Sequence, residues 1–214
     1  MMKALLLQSN YDKPTAYQHD LLLRQRPVIE ALKLGIADLI AGKDLVREKV
    51  VKLLKKEDYA FIYIGSHTHD YKIRGYGGSV ILKPSDKSLF LFRRVYAFVC
   101  KSYNSRTFEK AKEAILYKGR YIFPNIGDPR YAKNEAWHII TLGFYPLNRS
   151  LEFLIKGVKP DMLQIFEELK AQFEKAKLFV ESDLGRFALA NNLRALRYLS
   201  YDPFRKKRTV LSLV

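Results

Sequence analysis

The chain has 214 residues, of which 48% are hydrophobic and 28% charged, and this balance predicts a folded domain with a sizeable core. Its net charge of +16 favours contact with polyanions. A single cysteine excludes an internal disulfide and a cysteine cluster for zinc or iron–sulfur. Because no apolar run could span a bilayer and residues 1–8 lack a signal-peptide pattern, we expect a cytoplasmic protein without membrane contact.

Short apolar runs alternate with helical patterns in the first half of the chain. The runs that predict strands are residues 3–8, 36–41, 59–64, 95–100 and 120–123. Apolar residues recur at helical spacing in 19–34, where Pro27 predicts a kink or restart, and in 45–56, which Asp44 can cap. This order with short connections is typical of βαβ units and a mostly parallel sheet.

The second half of the chain is predicted to contain a glycine-rich loop and several helices. The glycine-rich residues 75–78 predict a loop or a hairpin with residues 79–82. The segments that predict helices are residues 107–117, 132–140, 149–155, 160–181 and 184–198. We therefore expect one α/β domain over residues 1–214, with a sheet core at about 3–125 and a mainly helical part at about 130–214.

Polar residues follow the predicted strands at the edge where parallel sheets usually hold ligands. His67 and His69 follow the strand at 59–64, Cys100 ends the next core strand, and Asp128 comes soon after residues 120–123. If the first two strands are neighbours, an imidazole faces the thiol and favours the nucleophilic thiolate. Taken singly, a lone cysteine is more often a small buried side chain, and a His-X-His pair also fits a surface loop or a metal site.

The segments around these residues follow a known pattern. Residues 60–67 (AFIYIGSH) end a strand in Ser-His, glycines follow, and residues 95–102 (VYAFVCKS) end the next core strand in cysteine, 33 positions after His67. This pattern resembles the caspase-like cysteine peptidases, the group of caspases, gingipains, separases and CHAT domains. Residues 199–203 (LSYDP) are also similar to the segment that closes CHAT domains. The resemblance covers about residues 3–203.

The resemblance implies a three-layer αβα sandwich and hydrolysis of a peptide bond by a His–Cys dyad, without cofactor or metal. His67 would be the general base and acid, Cys100 the nucleophile, and the backbone N–H groups of Thr68 and Cys100 the oxyanion donors. Two positions depart from the family. Thr68 replaces a glycine, so its side chain is expected to crowd the substrate carbonyl, and Lys101 replaces a small or glutamate-like residue. These departures bear on activity more than on fold.

Four further residues have supporting roles under the same resemblance. Ser66 and Asp70 are candidates to orient or polarise the imidazole, and His69 is the alternative base. Asp128 is a candidate to line a pocket for a basic substrate residue, although Gly-Asp-Pro at 127–129 also fits a plain turn.

Two other functions remain open on the sequence. A catalytically inactive caspase-like interaction or assembly protein would use the Lys- and Glu-rich C-terminal helices against a partner. A nucleic-acid or nucleotide-binding module is favoured by the charge, the 13% aromatic content and the RKKR cluster at 205–208. However, residues 9–17 contain no glycine for a phosphate loop, and carboxylates do not cluster as a metal-dependent nuclease requires. We expect a protein or peptide substrate and polyanion contact through the basic surface, with the oligomeric state open.

Overall fold

A computed structural model describes residues 2–124, 127–132 and 134–212 of the chain. The strands are β1 Lys3–Gln8, β2 Ala37–Ala41, β3 Tyr59–Ser66, β4 Thr68–His69, β5 Lys72–Arg74, β6 Val80–Leu82, β7 Arg94–Val99, β8 Glu113–Tyr117, β9 Leu196–Asp202 and β10 Lys207–Ser212. The α-helices are α1 Lys13–Leu22, α2 Arg26–Lys33, α3 Arg47–Lys56, α4 Glu135–Ile155, α5 Met162–Ala176 and α6 Asp183–Ala195. No helix of these residues is long and apolar enough to cross a membrane.

Seven strands form the central sheet in the order β10-β9-β8-β7-β3-β1-β2. The five strands from β8 to β2 are parallel to one another, whereas β9 and β10 each run antiparallel to the preceding strand. The mostly parallel sheet is therefore confirmed. The strands that contain Ile64 and Val99 are neighbours, as expected, because β3 pairs with β7 and Ser66 lies opposite Val99.

Helices cover both faces of this sheet because its strands are apolar on both sides. Along β1, Ala4 and Leu6 join the core formed with α1, α2, α4, α5 and α6. The intervening Leu5 and Leu7 join a second core with α3 and the small antiparallel sheet β4-β5-β6. The molecule is thus an α/β three-layer sandwich with a helical C-terminal part, as predicted. Whether residues 1–214 are one domain stays a prediction.

Helix boundaries follow local capping chemistry. The Asp12 carboxylate caps α1 through the Thr15 N–H, and Pro27 lies in the first turn of α2, where its missing N–H costs nothing. The restart at Pro27 is therefore confirmed. The expected cap at Asp44 is wrong, because Asp44 ends a short 3₁₀ turn and α3 begins only at Arg47.

Several predicted elements in the second half are wrong in type. The helix at 107–117 is replaced by β8, whose apolar run pairs with β7 and β9. The strand at 120–123 is irregular backbone that bonds to the Asn192 side chain instead of to a strand. Two predicted helices, 132–140 and 149–155, belong to one helix, α4. Residues 125 and 133, within the predicted sheet core and helix, lie outside the described residues.

The end of the chain also departs from the expected helix at 184–198. Helix α6 ends at Ala195, and Leu196 begins β9, which β10 then extends to the sheet edge. The part predicted to be mainly helical therefore supplies two strands to the sheet. Residues 79–82 do form the expected hairpin strand, since β6 pairs with β5.

Candidate functional site

His67 and Cys100 lie together at the carboxyl edge of the sheet. Each directly follows its strand, and the pairing of Ser66 with Val99 brings the ends of β3 and β7 level with each other. The Thr68 hydroxyl donates a hydrogen bond to the Cys100 carbonyl and so links the two strand ends. His67 and Cys100 also line the same two cavities. The predicted pair is therefore assembled at one site.

A third residue of this site is Asp12, in the loop after β1. Its Oδ2 lies 3.1 Å from Nε2 of His67, while its Oδ1 accepts from the Thr15 N–H at 3.0 Å and from the Thr15 hydroxyl. Burial opposes ionisation of Asp12, but the hydrogen bonds from Thr15 and the His67 ring outweigh it, and the pKa of Asp12 is lowered. The His67 ring therefore faces a carboxylate.

The Asp12 carboxylate decides which ring nitrogen of His67 can act as a base. A carboxylate only accepts hydrogen bonds, so it holds the tautomer that carries its proton on Nε2. The lone pair then lies on Nδ1, which is the nitrogen that can take a proton. The Tyr11 ring lies nearly perpendicular to the imidazole, with 6.4 Å between ring centroids.

Cys100 is a partly buried thiol on the other side of the site. Its Sγ lies 3.9 Å from the Tyr121 carbonyl oxygen. Burial raises the pKa of the Cys100 thiol, against the smaller opposing effects of hydrogen bonding from the backbone at Tyr121 and of the Arg120 and Lys101 charges. The resting group is therefore a neutral thiol, and it needs a base to become a nucleophile.

The other predicted supporting residues have different partners. The buried Ser66 hydroxyl donates to the Arg74 carbonyl. Asp70 pairs with His69, with 2.9 Å between Oδ2 and Nδ1, on an exposed turn between β4 and β5. The acid on the His67 ring is thus Asp12, and Ser66 and Asp70 are engaged elsewhere. His69 lines one cavity with His67 and Cys100, so its role as the alternative base stays a prediction.

Asp128 lies apart from this site. Both of its carboxylate oxygens accept from the Arg130 guanidinium, at 3.0 and 2.7 Å, and these bonds lower the pKa of Asp128 to about 2. It lines a cavity of about 320 Å³ whose described lining residues include neither His67 nor Cys100. The expected pocket for a basic substrate residue is therefore not formed by Asp128 beside Cys100.

Two cavities meet at the His67–Cys100 pair. The first, of about 560 Å³, lies between the start of α1 and the ends of β3 and β7. Its lining is Lys13, Pro14, Thr15, Tyr17, Gln18, Ser66, His67, Phe98, Cys100, Tyr121, Phe123 and Pro124. The second, of about 620 Å³, lies on the side of the β4–β5 turn. Its lining is His67, Thr68, His69, Asp70, Tyr71, Cys100, Lys101, Asn104 and Arg120.

A buried polar cluster holds α1 against this edge. The Gln8 amide donates to the Ser9 carbonyl at 2.7 Å and accepts from the Tyr63 hydroxyl at 3.2 Å. It occupies the space beside Gly65, where a Cβ would lie 2.1 Å from Oε1 of Gln8. A side chain at residue 65 would therefore displace the Gln8 amide, which also contacts Thr15 and Gln18 of α1.

The basic cluster at 205–208 covers the end of the turn after β9 and the first two residues of β10, at the far edge of the sheet. Arg208 pairs with Glu109 at 3.3 Å and lines a different cavity, together with Tyr71 and Asn104. None of the four residues lines either cavity at His67 and Cys100.

Comparison with known proteins adds no family. No protein-family model matches the sequence, and no curated protein matches it. In the described parts of the chain, no three His, Cys, Asp or Glu side chains come together as a metal site. Asp12, His67 and Cys100, at the carboxyl edge of the sheet, are therefore the residues on which a function can be proposed.

Proposed function

We propose that this protein is a caspase-like cysteine peptidase that uses Cys100 as the nucleophile, His67 as the general base and acid, and Asp12 to position His67. The observation that carries the proposal is the 3.1 Å contact between Asp12 and His67, on the same sheet edge as the only cysteine of the chain. A carboxylate, an imidazole and a thiol in this order recur in nucleophilic catalysis, because each group prepares the next.

The proposed reaction assigns one role to each of these groups. Nδ1 of His67 takes the proton of the Cys100 thiol as the sulfur attacks the carbonyl carbon of the substrate. The tetrahedral oxyanion is stabilised by the backbone N–H groups of Thr68 and Cys100. The C–N bond then breaks, and His67 gives its proton to the leaving amine, which leaves a thioester. Water, deprotonated by His67, hydrolyses the thioester to release the acid and restore the thiol.

Two features support the family resemblance within this proposal. The small sheet β4-β5-β6 directly follows His67, at the place where the family has a glycine-containing hairpin. The Thr68 hydroxyl, expected from the sequence to crowd the substrate, is instead bonded to the Cys100 carbonyl. This bond ties the Thr68 side chain to the end of β7, which is compatible with the proposal.

The second candidate function is a catalytically inactive interaction protein of the same fold. The raised pKa of the Cys100 thiol favours it, because a neutral, partly buried thiol is a poor nucleophile by itself. The two candidates differ in one property, namely whether His67 activates Cys100.

Alkylation of the folded protein by a thiol-directed electrophile tests this property. Cys100 is the only cysteine, so the mass of the adduct reports its reaction without ambiguity. We expect the folded wild type to react, and His67→Ala to slow the reaction at least about tenfold, because the thiolate fraction depends on the base.

His69→Ala is the matched control, since His69 lies two residues away and is largely exposed. It is expected to leave the rate within about twofold of the wild type if His67 alone is the base. Labelling only after unfolding, or an unchanged rate in His67→Ala, would overturn the proposed function. Dependence on His69 instead would transfer the role of base to that residue and contradict the role of His67.

A further inference from the structure

The two cavities at the site differ in chemistry and share only His67 and Cys100 among their described lining residues. One is bounded by α1 and residues 121–124, and the other by the β4–β5 turn and residues 101–104. They therefore extend to either side of the pair that would hold the reacting carbonyl. A bound polypeptide that crosses this pair places one side chain in each cavity.

The first cavity is built for an uncharged ring. Phe98 packs edge-on against Tyr121, with 4.7 Å between centroids, and Tyr17 packs edge-on against Phe123 at 5.8 Å. The Tyr121 hydroxyl is bonded to the Ile139 carbonyl at 2.7 Å, so the wall is held in place. No carboxylate occurs among the described lining residues, and the charged residue Lys13 at the cavity's edge would repel a cationic occupant. Edge-to-face packing with these rings favours an aromatic occupant.

Packing behind this wall leaves little room for the rings to withdraw. Gly143 of α4 lies against Phe98, and a Cβ at that position would be 2.4 Å from Cζ of Phe98 and 3.0 Å from the Tyr121 hydroxyl. Because interiors are close-packed, the aromatic wall keeps its shape when a ligand enters. The cavity is therefore preformed.

The second cavity is built for an anion. Lys101 and Arg120 line it with His69, and its one carboxylate, Asp70, already pairs with His69. Both of these charges lower the pKa of the Cys100 thiol, against the larger effect of burial. A guanidinium and an ammonium bind carboxylates by charge-assisted hydrogen bonds. The net charge of +16 also raises the local concentration of acidic polypeptides.

Resting on the proposed peptidase function, we propose that the substrate is an acidic polypeptide segment with an aromatic residue and a carboxylate residue flanking the reacting carbonyl. The aromatic ring enters the cavity of Tyr17, Phe98 and Phe123, and the carboxylate enters the cavity of Lys101 and Arg120. This assignment replaces the expected basic substrate residue.

Peptides in which an electrophilic alkene replaces the scissile amide, with one residue on each side of it, alkylate Cys100 and provide the test. The two reference probes carry Phe on one side of the reactive group and Glu on the other, in the two possible orders. The order that alkylates Cys100 faster is used for the comparisons. The two altered probes replace Phe by Lys, or Glu by Gln. We expect the Lys probe to react at least about tenfold more slowly, because a charged group loses its hydration in the aromatic cavity. The Gln probe is expected to react several-fold more slowly than the Glu probe.

Two variants test whether the preference for Phe comes from the first cavity and the preference for Glu from the second. Gln18→Glu keeps the shape of the buried Gln18 and its acceptor for the Gln8 amide, but places a carboxylate in the aromatic cavity. It is expected to slow the Phe probe and accelerate the Lys probe. Arg120→Gln is expected to remove the advantage of the Glu probe over the Gln probe. Arg24→Gln, an exposed site between α1 and α2, is the matched control and should preserve that advantage.

The outcomes separate the inference from the function on which it rests. If no probe alkylates Cys100 in the folded chain, the peptidase function fails. If probes react at rates that depend on His67 but show no preference for Phe and Glu, only the substrate assignment fails. Thermal unfolding verifies that each variant is folded. If Gln18→Glu does not fold, the four probe rates on the wild type and on Arg120→Gln still decide the inference.

Discussion

Replacement of Asp12 by asparagine is expected to lower kcat about 1,000-fold on a peptide that carries Phe and Glu around the scissile bond. The asparagine NH₂ can donate to Nε2 of His67, which favours the tautomer with its proton on Nδ1. That tautomer cannot accept the thiol proton. The variant also lacks the negative charge that stabilises the imidazolium formed during attack. KM should change little, because Asp12 does not line either cavity at the site.

The stability of Asp12→Asn should stay close to that of the wild type, since asparagine caps helices as well as aspartate does. Asp161→Asn is the matched control, because Asp161 caps α5 through the Gln164 N–H at 2.9 Å. It makes the same chemical change at a helix start and is expected to leave kcat within about twofold, since its effect is confined to capping. A loss of less than about tenfold in Asp12→Asn would reduce Asp12 to a helix cap without a role in positioning His67.

The sequence is sufficient to predict that His67 and Cys100 lie at the same edge of the sheet. Strands β3 and β7 are nearly continuous apolar runs, which only a sheet covered on both faces accommodates, and each run ends in polar residues. Parallel neighbours then bring both ends to one edge. The same rule applied to β1 would have included Asp12, because the loop after β1 reaches that edge next to β3.

The sequence alone indicates no more than a loop around Asp12, and the role of Asp12 depends on facts that no local pattern contains. The sheet order places β1 beside β3, and the capping of α1 turns the carboxylate of Asp12 toward His67. The nearer acid in sequence, Asp70, lies on a turn with φ of 49° and pairs with His69. Proximity along the chain therefore indicated the wrong acid for His67.

The predictions for residues 107–117 and 120–123 are wrong for the same reason. Two short apolar runs could each occupy the same position in the sheet. Residues 113–117 (EAILY) and 120–123 (RYIF) are both short and apolar, so periodicity cannot rank them. The first pairs with β7 and β9, and the second then covers the end of the sheet, where Tyr121 and Phe123 line the aromatic cavity. Pairing with neighbouring strands, and not local sequence, determines which run becomes a strand. The same pairing explains why the end of the helix predicted at 184–198 belongs to β9.

The largest effect on stability is expected at Glu135, at the start of α4. Its carboxylate is only 2% exposed and accepts hydrogen bonds from the backbone N–H groups of Ala132 and Ser182, at 3.0 and 2.9 Å, from the Glu181 N–H and from the Ser182 hydroxyl. In Glu135→Gln, one acceptor oxygen is replaced by an NH₂ group, which cannot accept hydrogen bonds from these N–H and O–H groups. The free energy of unfolding should fall by about 3 kcal/mol, the cost of unsatisfied buried groups beside a lost charged acceptor.

This contribution should depend on pH in a defined direction. Burial opposes ionisation of Glu135, but the hydrogen bonds from Ser182, Glu181 and Ala132 outweigh it and lower the pKa of Glu135 from its ordinary value of 4.5. A carboxyl with a lowered folded pKa stabilises the fold above its unfolded pKa, and this stabilisation is lost as the pH falls through the folded value. The difference between wild type and Glu135→Gln should therefore be constant near neutral pH and shrink below 4.5.

Urea unfolding at neutral pH and at a series of acidic pH values measures both effects. Glu174→Gln is the matched control, because Glu174 forms an exposed pair with Lys177 at the end of α5. Such pairs contribute at most about 0.5 kcal/mol, so the control should unfold like the wild type at each pH. Equal losses in the two variants, or a Glu135→Gln difference that grows as the pH falls, would contradict the role of Glu135 as a buried acceptor that joins α4 to the segment before α6.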